Sequence, residues 1–194
     1  RYPHQLGLLS FERLVLYLFP LPVISVFYVL NLGLVIGMNY AIWKITEELF
    51  QRPLVSSTAV IMSFGFLPLV FNIMFAYGLM YGLFFSSFAI LFFLRYLRRG
   101  KARNAILSVV ILSLAYWVRS NNIILIIALS GILILMALRE KRYLYLLLVL
   151  AFFAFPMSLH KATTSYYEIT THQKIPGTPQ IAWLAMGLQA KPET

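Results

Sequence analysis

Arg119 and two carboxamides, Asn121 and Asn122, lie in the stretch Ser113-Leu114-Ala115-Tyr116-Trp117-Val118-Arg119-Ser120-Asn121-Asn122, between two apolar runs of a chain with few charges. A guanidinium cannot shed its proton to escape a low dielectric, so it needs an anion, a water-filled cavity or a route to the interface. The chemistry that fits is retention of a lipid-linked phosphate. A plainer reading stands beside it: Arg119 snorkels outward and ends a helix, while Asn121 and Asn122 form the turn.

Composition identifies the solvent these residues meet. Hydrophobic residues make up 61% of the chain and charged residues 11%, with a mean hydropathy of +0.82, far from the balance of a soluble domain. This composition predicts an all-α, multi-pass integral membrane protein. The formal charge of +10 concentrates in short clusters at the ends of apolar runs, as membrane topology requires. It offers no extended basic surface for a nucleic acid. The lack of cysteine excludes disulfides and thiolate chemistry. The opening at Arg1-Tyr2-Pro3-His4, without Met or signal peptide, reads as an internal piece of something longer.

The elements that must position Arg119 follow from prolines and charges. Pro20 and Pro22 interrupt the uncharged run from Leu14 to Trp43, so Gly7 to Phe19 is expected as a separate interfacial helix and Leu21 to Trp43 as the first span. Lys44 to Pro53 reads as a polar connector. Five more spans are expected at Leu54 to Phe71, Gly78 to Leu94, Ala105 to Val118, Ile123 to Leu138 and Tyr143 to Leu159. The sum is about six spans plus the interfacial helix: a transmembrane module over 1–160, then an outer-face loop over 161–194.

Two basic clusters test the topology. Arg95, Arg98, Arg99, Lys101 and Arg103 precede the fourth span, and Arg139, Lys141 and Arg142 follow the fifth, so the positive-inside rule puts both in the cytoplasm. Asn104 to Leu138 must then go out and return, turning at Arg119 to Asn122. The same parity sends Arg1 to Gln5, Phe71 to Tyr77 and the tail after Leu159 to the outer face. Ala105 to Val118 is about 14 residues, roughly 21 Å of helix against a hydrocarbon core of roughly 30 Å, which would hold Arg119 below the outer interface.

Other polar residues have structural readings that outweigh functional ones. His160, Glu168 and His172 have spacings that place only Glu168 and His172 on one helical face, and Thr170-Thr171 weaken such a helix, so a polar tail is favoured over a metal set. Glu12 beside Arg13 is expected on the solvated face of the interfacial helix. Tyr77 and Tyr81, one turn apart, suit sugar binding, but the aromatic belt explains them more simply. Gly78 and Gly82 form a small-xxx-small pair suited to close helix packing.

The order of these pieces resembles the GT-C superfamily of polytopic glycosyltransferases that use polyprenyl-phosphate sugars, including the protein O-mannosyltransferase and bacterial glycosyltransferase 39 groups. The resemblance rests on Arg1-Tyr2-Pro3-His4-Gln5-Leu6-Gly7-Leu8-Leu9, Phe75-Ala76-Tyr77-Gly78, the Arg119 stretch and Pro176-Gly177-Thr178-Pro179-Gln180-Ile181-Ala182-Trp183-Leu184-Ala185-Met186-Gly187-Leu188. It implies inverting transfer of a sugar from a polyprenyl-phosphate donor to a hydroxyl of a glycan, lipid or protein acceptor, on the extracytoplasmic or lumenal face. Arg119 would hold the phosphate, Asn121 or Asn122 would bond phosphate or sugar, and His4 or Tyr77 would help line the site. The superfamily carries its catalytic acid on an outer loop after its first helix, so the general base is expected before Arg1, and acceptor identity is expected beyond Thr194. No cofactor is assigned, since many enzymes of this class use a divalent cation weakly or not at all. A bacterial plasma membrane fits best, with the ER membrane as the alternative.

Three rivals make different demands. A secondary transporter places Arg and Asn in broken spans but should show a paired repeat, and no second copy of the Arg119 region is found. A flippase or ligase for lipid-linked substrates shares the substrate without needing an acidic loop upstream. A membrane scaffold would tolerate Lys at position 119.

Overall fold

The computed structural model describes residues 5–19, 22–75 and 78–172, which form helices with no strand among the described residues. In chain order these are α1 Leu6–Leu18, α2 Val23–Phe50, α3 Pro53–Phe64, α4 Leu67–Phe71, α5 Leu79–Arg99, α6 Ala102–Val118, α7 Ile123–Glu140 and α8 Leu144–Thr171. Single 3-10 turns occupy Asn72–Met74 and Ser120–Asn122. The described residues are therefore all-α, as the composition predicts. By length and apolar character α2, α5, α8, and α7 with its preceding turn are four helices able to cross a membrane; the bent pair formed by α3 and α4 with its 3-10 turn makes a fifth if counted as one span. α6 is an apolar helix of 17 residues.

Prolines set two of the breaks. α1 ends at Leu18 and α2 starts after Pro22, so the separate N-terminal helix is present. The stretch expected as one span from Leu54 to Phe71 is instead two helices bent by 56°. Pro68 provides the reason, because its ring collides with the carbonyl four residues earlier, at Phe64, where α3 stops.

Two expected boundaries move because side chains find partners that hydropathy does not reveal. α2 continues to Phe50, through the expected connector. Lys44 and Glu47 pair at 2.7 Å one turn apart, and Glu48 receives Arg95 at 3.3 Å, Arg98 at 3.2 Å and Arg99 at 2.5 Å. The carboxylate is only 11% exposed, so the last turn of α2 is fastened to the last turns of α5. Likewise α8 runs past Leu159 to Thr171, and residues 161–171 belong to the helix rather than the expected loop. Thr163, Thr164, Thr170 and Thr171 turn their hydroxyls onto the carbonyls of Leu159, His160, Tyr166 and Tyr167, so the threonines are satisfied within the helix. The remainder of the expected loop, from 173, lies outside the described residues.

Two apolar clusters hold the bundle. One joins α1, α2, α4 and the start of α5 through Val15, Phe27, Val35, Leu69 and Tyr81; the other joins α5 to α8 through Phe93, Leu112, Leu133 and Phe152. Both basic clusters gather at one end, where Glu48 meets the arginines of α5 and the Tyr96 ring lies 6.2 Å from that of Tyr145 at the start of α8. This satisfies the parity deduced from charge. α2, α5 and α7 each stop there on a left-handed residue, Gln51, Gly100 and Lys141, which lets the chain reverse within a few residues.

At the opposite end α1 lies against the end of α6 with almost no gap. A Cβ on Gly7 would overlap the Trp117 backbone carbonyl, which cannot give way as a side chain would. Gly7→Ala is thus expected to cost about 1–3 kcal/mol of stability through overpacking. Gly33 has open space around it, so Gly33→Ala is expected to be neutral or to gain up to about 1 kcal/mol from helix propensity. Thermal unfolding of the two variants in detergent checks the contrast, and equal stability of Gly7→Ala and wild type would refute this seat for α1.

Candidate functional site

The end opposite the basic clusters brings together α1, the start of α5, the end of α6, the turn before α7 and the distal half of α8. Gly78 and Gly82 make this possible. A Cβ at Gly78 would lie 3.3 Å from the Val118 carbonyl and 3.4 Å from Leu8; one at Gly82 would lie 3.3 Å from both Cβ and Cδ of Arg119 and 3.1 Å from Nδ2 of Asn122. The close packing expected of this glycine pair is present, and its partners are the site residues. α8 is tied in by polar contacts: Trp117 Nε1 donates to Thr163 at 2.7 Å, and Ser10 and Tyr167 hydroxyls lie 3.1 Å apart.

Arg119 is where α6 stops. Its backbone is extended, with φ −144° and ψ 103°, and its amide still donates to the Ala115 carbonyl at 3.0 Å. The stem runs along Gly82, and Nη1 is shut off from the surface. α6 includes Ala102 to Asn104 as well as the apolar stretch, so its 17 residues span roughly 26 Å, against a core of roughly 30 Å.

The two carboxamides separate into different roles. Asn122 donates from Nδ2 to the Ala115 carbonyl at 2.7 Å and accepts from Ser86 on α5 at 3.2 Å, so both ends of its amide are engaged within the protein. The Ala115 carbonyl thus accepts twice, from the Arg119 amide and from Asn122, and the carboxamide clamps the turn onto α5. Asn121 is exposed. α7 begins immediately after; no side chain caps it, its first amide, on Ile123, bonds to the Ser120 carbonyl of the turn, and the helix N-terminus carries partial positive charge. Arg119 and exposed Asn121 thus lie in the turn at the positive end of the α7 dipole.

Among the remaining expected residues, His4 and Tyr77 lie outside the described residues, as does the stretch from Pro176 to Leu188. His160 packs its ring edgewise on Tyr116 at 6.0 Å, and His172 caps α8 in a left-handed conformation at φ 52°. Among the described residues no three His, Asp or Glu side chains gather as a metal set. Below the site, α6 and α8 enclose an apolar groove of about 400 Å³ lined by Val110, Ser113, Leu114, Phe155, Leu159 and Ala162.

Two residues assigned to ordinary surroundings by sequence turn out otherwise. Tyr81, expected in the aromatic belt, is fully buried, and its hydroxyl has no hydrogen-bond partner among the described residues. Glu12, expected on a solvated face, is half-buried on the side of α1 that carries Leu8, Phe11 and Val15, and its buried Oε1 has no hydrogen bond among the described residues. The signal was present in the helical spacing, since positions 8, 11, 12 and 15 lie on one side of a helix. The adjacent Arg13 masked it; Arg13 is exposed while Glu12 turns in.

Comparison of the chain with known protein families, with curated proteins and with solved structures gave no match.

Burial raises the Glu12 carboxyl above the ordinary carboxylate range, because desolvation penalises its charged form. A folded-state value above the unfolded one means that its contribution to stability is full below the unfolded value and is lost as pH rises through the folded one. Glu12→Gln, which keeps the shape and removes the titration, is expected to unfold at a higher temperature than wild type at neutral pH. The difference should shrink as pH falls toward the unfolded carboxylate value. Melting temperatures of both proteins between acidic and neutral pH check this, and parallel profiles would exclude it.

Proposed function

We propose that this chain is part of a GT-C-like membrane glycosyltransferase that moves a sugar from a polyprenyl-phosphate donor to an acceptor hydroxyl, with six spans and α1 resting at the outer interface. The observation that carries the reading is the placement of Arg119 and exposed Asn121 in the turn at the positive end of α7, at the end opposite the basic clusters. A phosphate in that position would meet a fixed cation as negative charge builds on the departing oxygen, which is the main electrostatic demand of the reaction. The apolar groove between α6 and α8 suits the hydrocarbon chain of the same donor. Asn122 would act by holding the turn rather than by contacting the ligand.

The alternative of a transporter or flippase draws support from the 56° break between α3 and α4, since interrupted spans often surround transported anions. The two are separable by product. In vesicles containing the full-length protein, a transferase converts the acceptor to a glycoside, whereas a flippase relocates the lipid with the sugar still attached.

Arg119→Ala is expected to lower transfer from a polyprenyl-phosphate sugar by on the order of 10²–10³-fold. Arg119→Lys should recover only part of that loss, because a point cation does not reproduce the guanidinium fork. Turnover at the wild-type rate in Arg119→Ala would refute the role.

A further inference from the structure

The basic end of the bundle carries more charge than its own side chains use. Residues 44–52, 95–103 and 139–142, which make the three reversals there, hold ten lysines and arginines against three glutamates, a net +7 of the chain's +10. Part of that charge is answered within the protein. Lys44 pairs with Glu47, three arginines of α5 share Glu48, and Arg139 and Lys141 stand at the negative end of the α7 dipole. Arg52, Lys101, Arg103 and Arg142 remain. All four are exposed; the first three have no ion pair among the described residues, and Arg142 reaches only an exposed Glu140, at 3.8 Å.

These four run against the helix dipoles. α3, α6 and α8 start at this end without an acidic residue in their first turns; Arg52 precedes α3, Lys101 and Arg103 open α6, and Arg142 comes just before α8. A cation is disfavoured at the positive end of a helix, so local helix chemistry does not account for them. At each start an exposed apolar side chain follows within one turn. Leu54 is 79% exposed after Arg52, Ile106 62% after Arg103 and Leu144 67% after Arg142. Positive charge at the rim of an apolar surface is the complement of an amphiphile with an anionic head.

We propose that this end binds anionic phospholipid headgroups of the leaflet it faces, with Arg52, Lys101, Arg103 and Arg142 meeting the phosphates and Leu54, Ile106 and Leu144 lying along the acyl chains. The surface is remote from Arg119 and independent of the reaction proposed there. Each Lys or Arg near an anionic bilayer surface adds about fivefold to affinity, so a pair of them gives a selectivity that is measurable. The bound phosphates also supply the negative charge that the three helix starts lack. Inorganic phosphate carries the same anion without the chains that cover the apolar rim. Cations that served only to orient the chain during insertion would not distinguish one bound lipid from another.

The test melts the full-length protein in nonionic detergent supplemented with phosphatidylglycerol, phosphatidylcholine or inorganic phosphate, each variant being compared with itself in phosphatidylcholine. Phosphatidylglycerol should raise the melting temperature of wild type by on the order of 5 °C, as a saturating ligand of the folded state does. Inorganic phosphate at the same concentration should shift it by less than about 1 °C. Arg52→Gln/Arg103→Gln should keep less than half of the phosphatidylglycerol shift. Arg52→Lys/Arg103→Lys, which retains the charge, should keep most of it. Arg13→Gln/Lys161→Gln, which removes the same charge from exposed residues of α1 and α8, should keep all of it. Equal melting of wild type in the two lipids, or an equal shift from inorganic phosphate, would overturn the proposal. A full shift in Arg52→Gln/Arg103→Gln, or the same loss in both glutamine pairs, would overturn it as well.

Discussion

Asn122 bridges the end of α6 and the flank of α5, donating to the Ala115 carbonyl and accepting from Ser86, and the geometry of that whole end of the bundle follows from this clamp. The Ala115 carbonyl also takes the Arg119 amide, so the last turn of α6 and the reversal that follows it converge on one acceptor. The carboxamide ties that acceptor to α5. With the turn fixed, the Arg119 stem must pass Gly82, where any larger side chain would meet it. Gly78 repeats the arrangement one turn earlier, admitting Leu8 of α1 and the Val118 carbonyl. The position of α1 is thus a consequence of the same close approach.

The two ends of the bundle illustrate different uses of charge. At the basic end Glu48 takes three arginines from α5, and the carboxylate is satisfied several times over. The arrangement fastens two helices and keeps positive charge beside the apolar body, where it fits the ordinary topology of membrane proteins. At the Arg119 end the balance is reversed. Glu12 and Tyr81 carry buried polar atoms with no hydrogen bond among the described residues, on helices held in place by aromatic packing. Satisfied charge stabilises, whereas unsatisfied polarity in a rigid frame is a cost that function can explain.

Hydropathy and proline placement made most of the helices legible. The α1 and α2 division at Pro20 and Pro22, the α5 to α6 reversal, and the turn at Arg119 could be read directly, because each depends on local backbone chemistry or on long apolar runs. The basic residues also indicated, by parity alone, which helix ends lie together. Boundaries at Phe50 and Thr171 were not legible in this way. They depend on Glu48 reaching α5 and on threonine hydroxyls folding back along α8, and a windowed hydropathy records such residues only as polar.

The candidate site divides along the same line. Sequence by itself determined that Arg119, Asn121 and Asn122 stand at the tip of an apolar hairpin, since an unshieldable cation between two such runs has nowhere else to go. Only the tertiary structure decided that Asn122 is consumed in holding the turn, that Tyr81 is buried rather than interfacial, and that Glu12 turns inward beside it while Arg13 faces out. The reason is rotational: a sequence gives the angle between neighbouring side chains on a helix, but which side faces the bundle is settled by packing against helices distant in the chain.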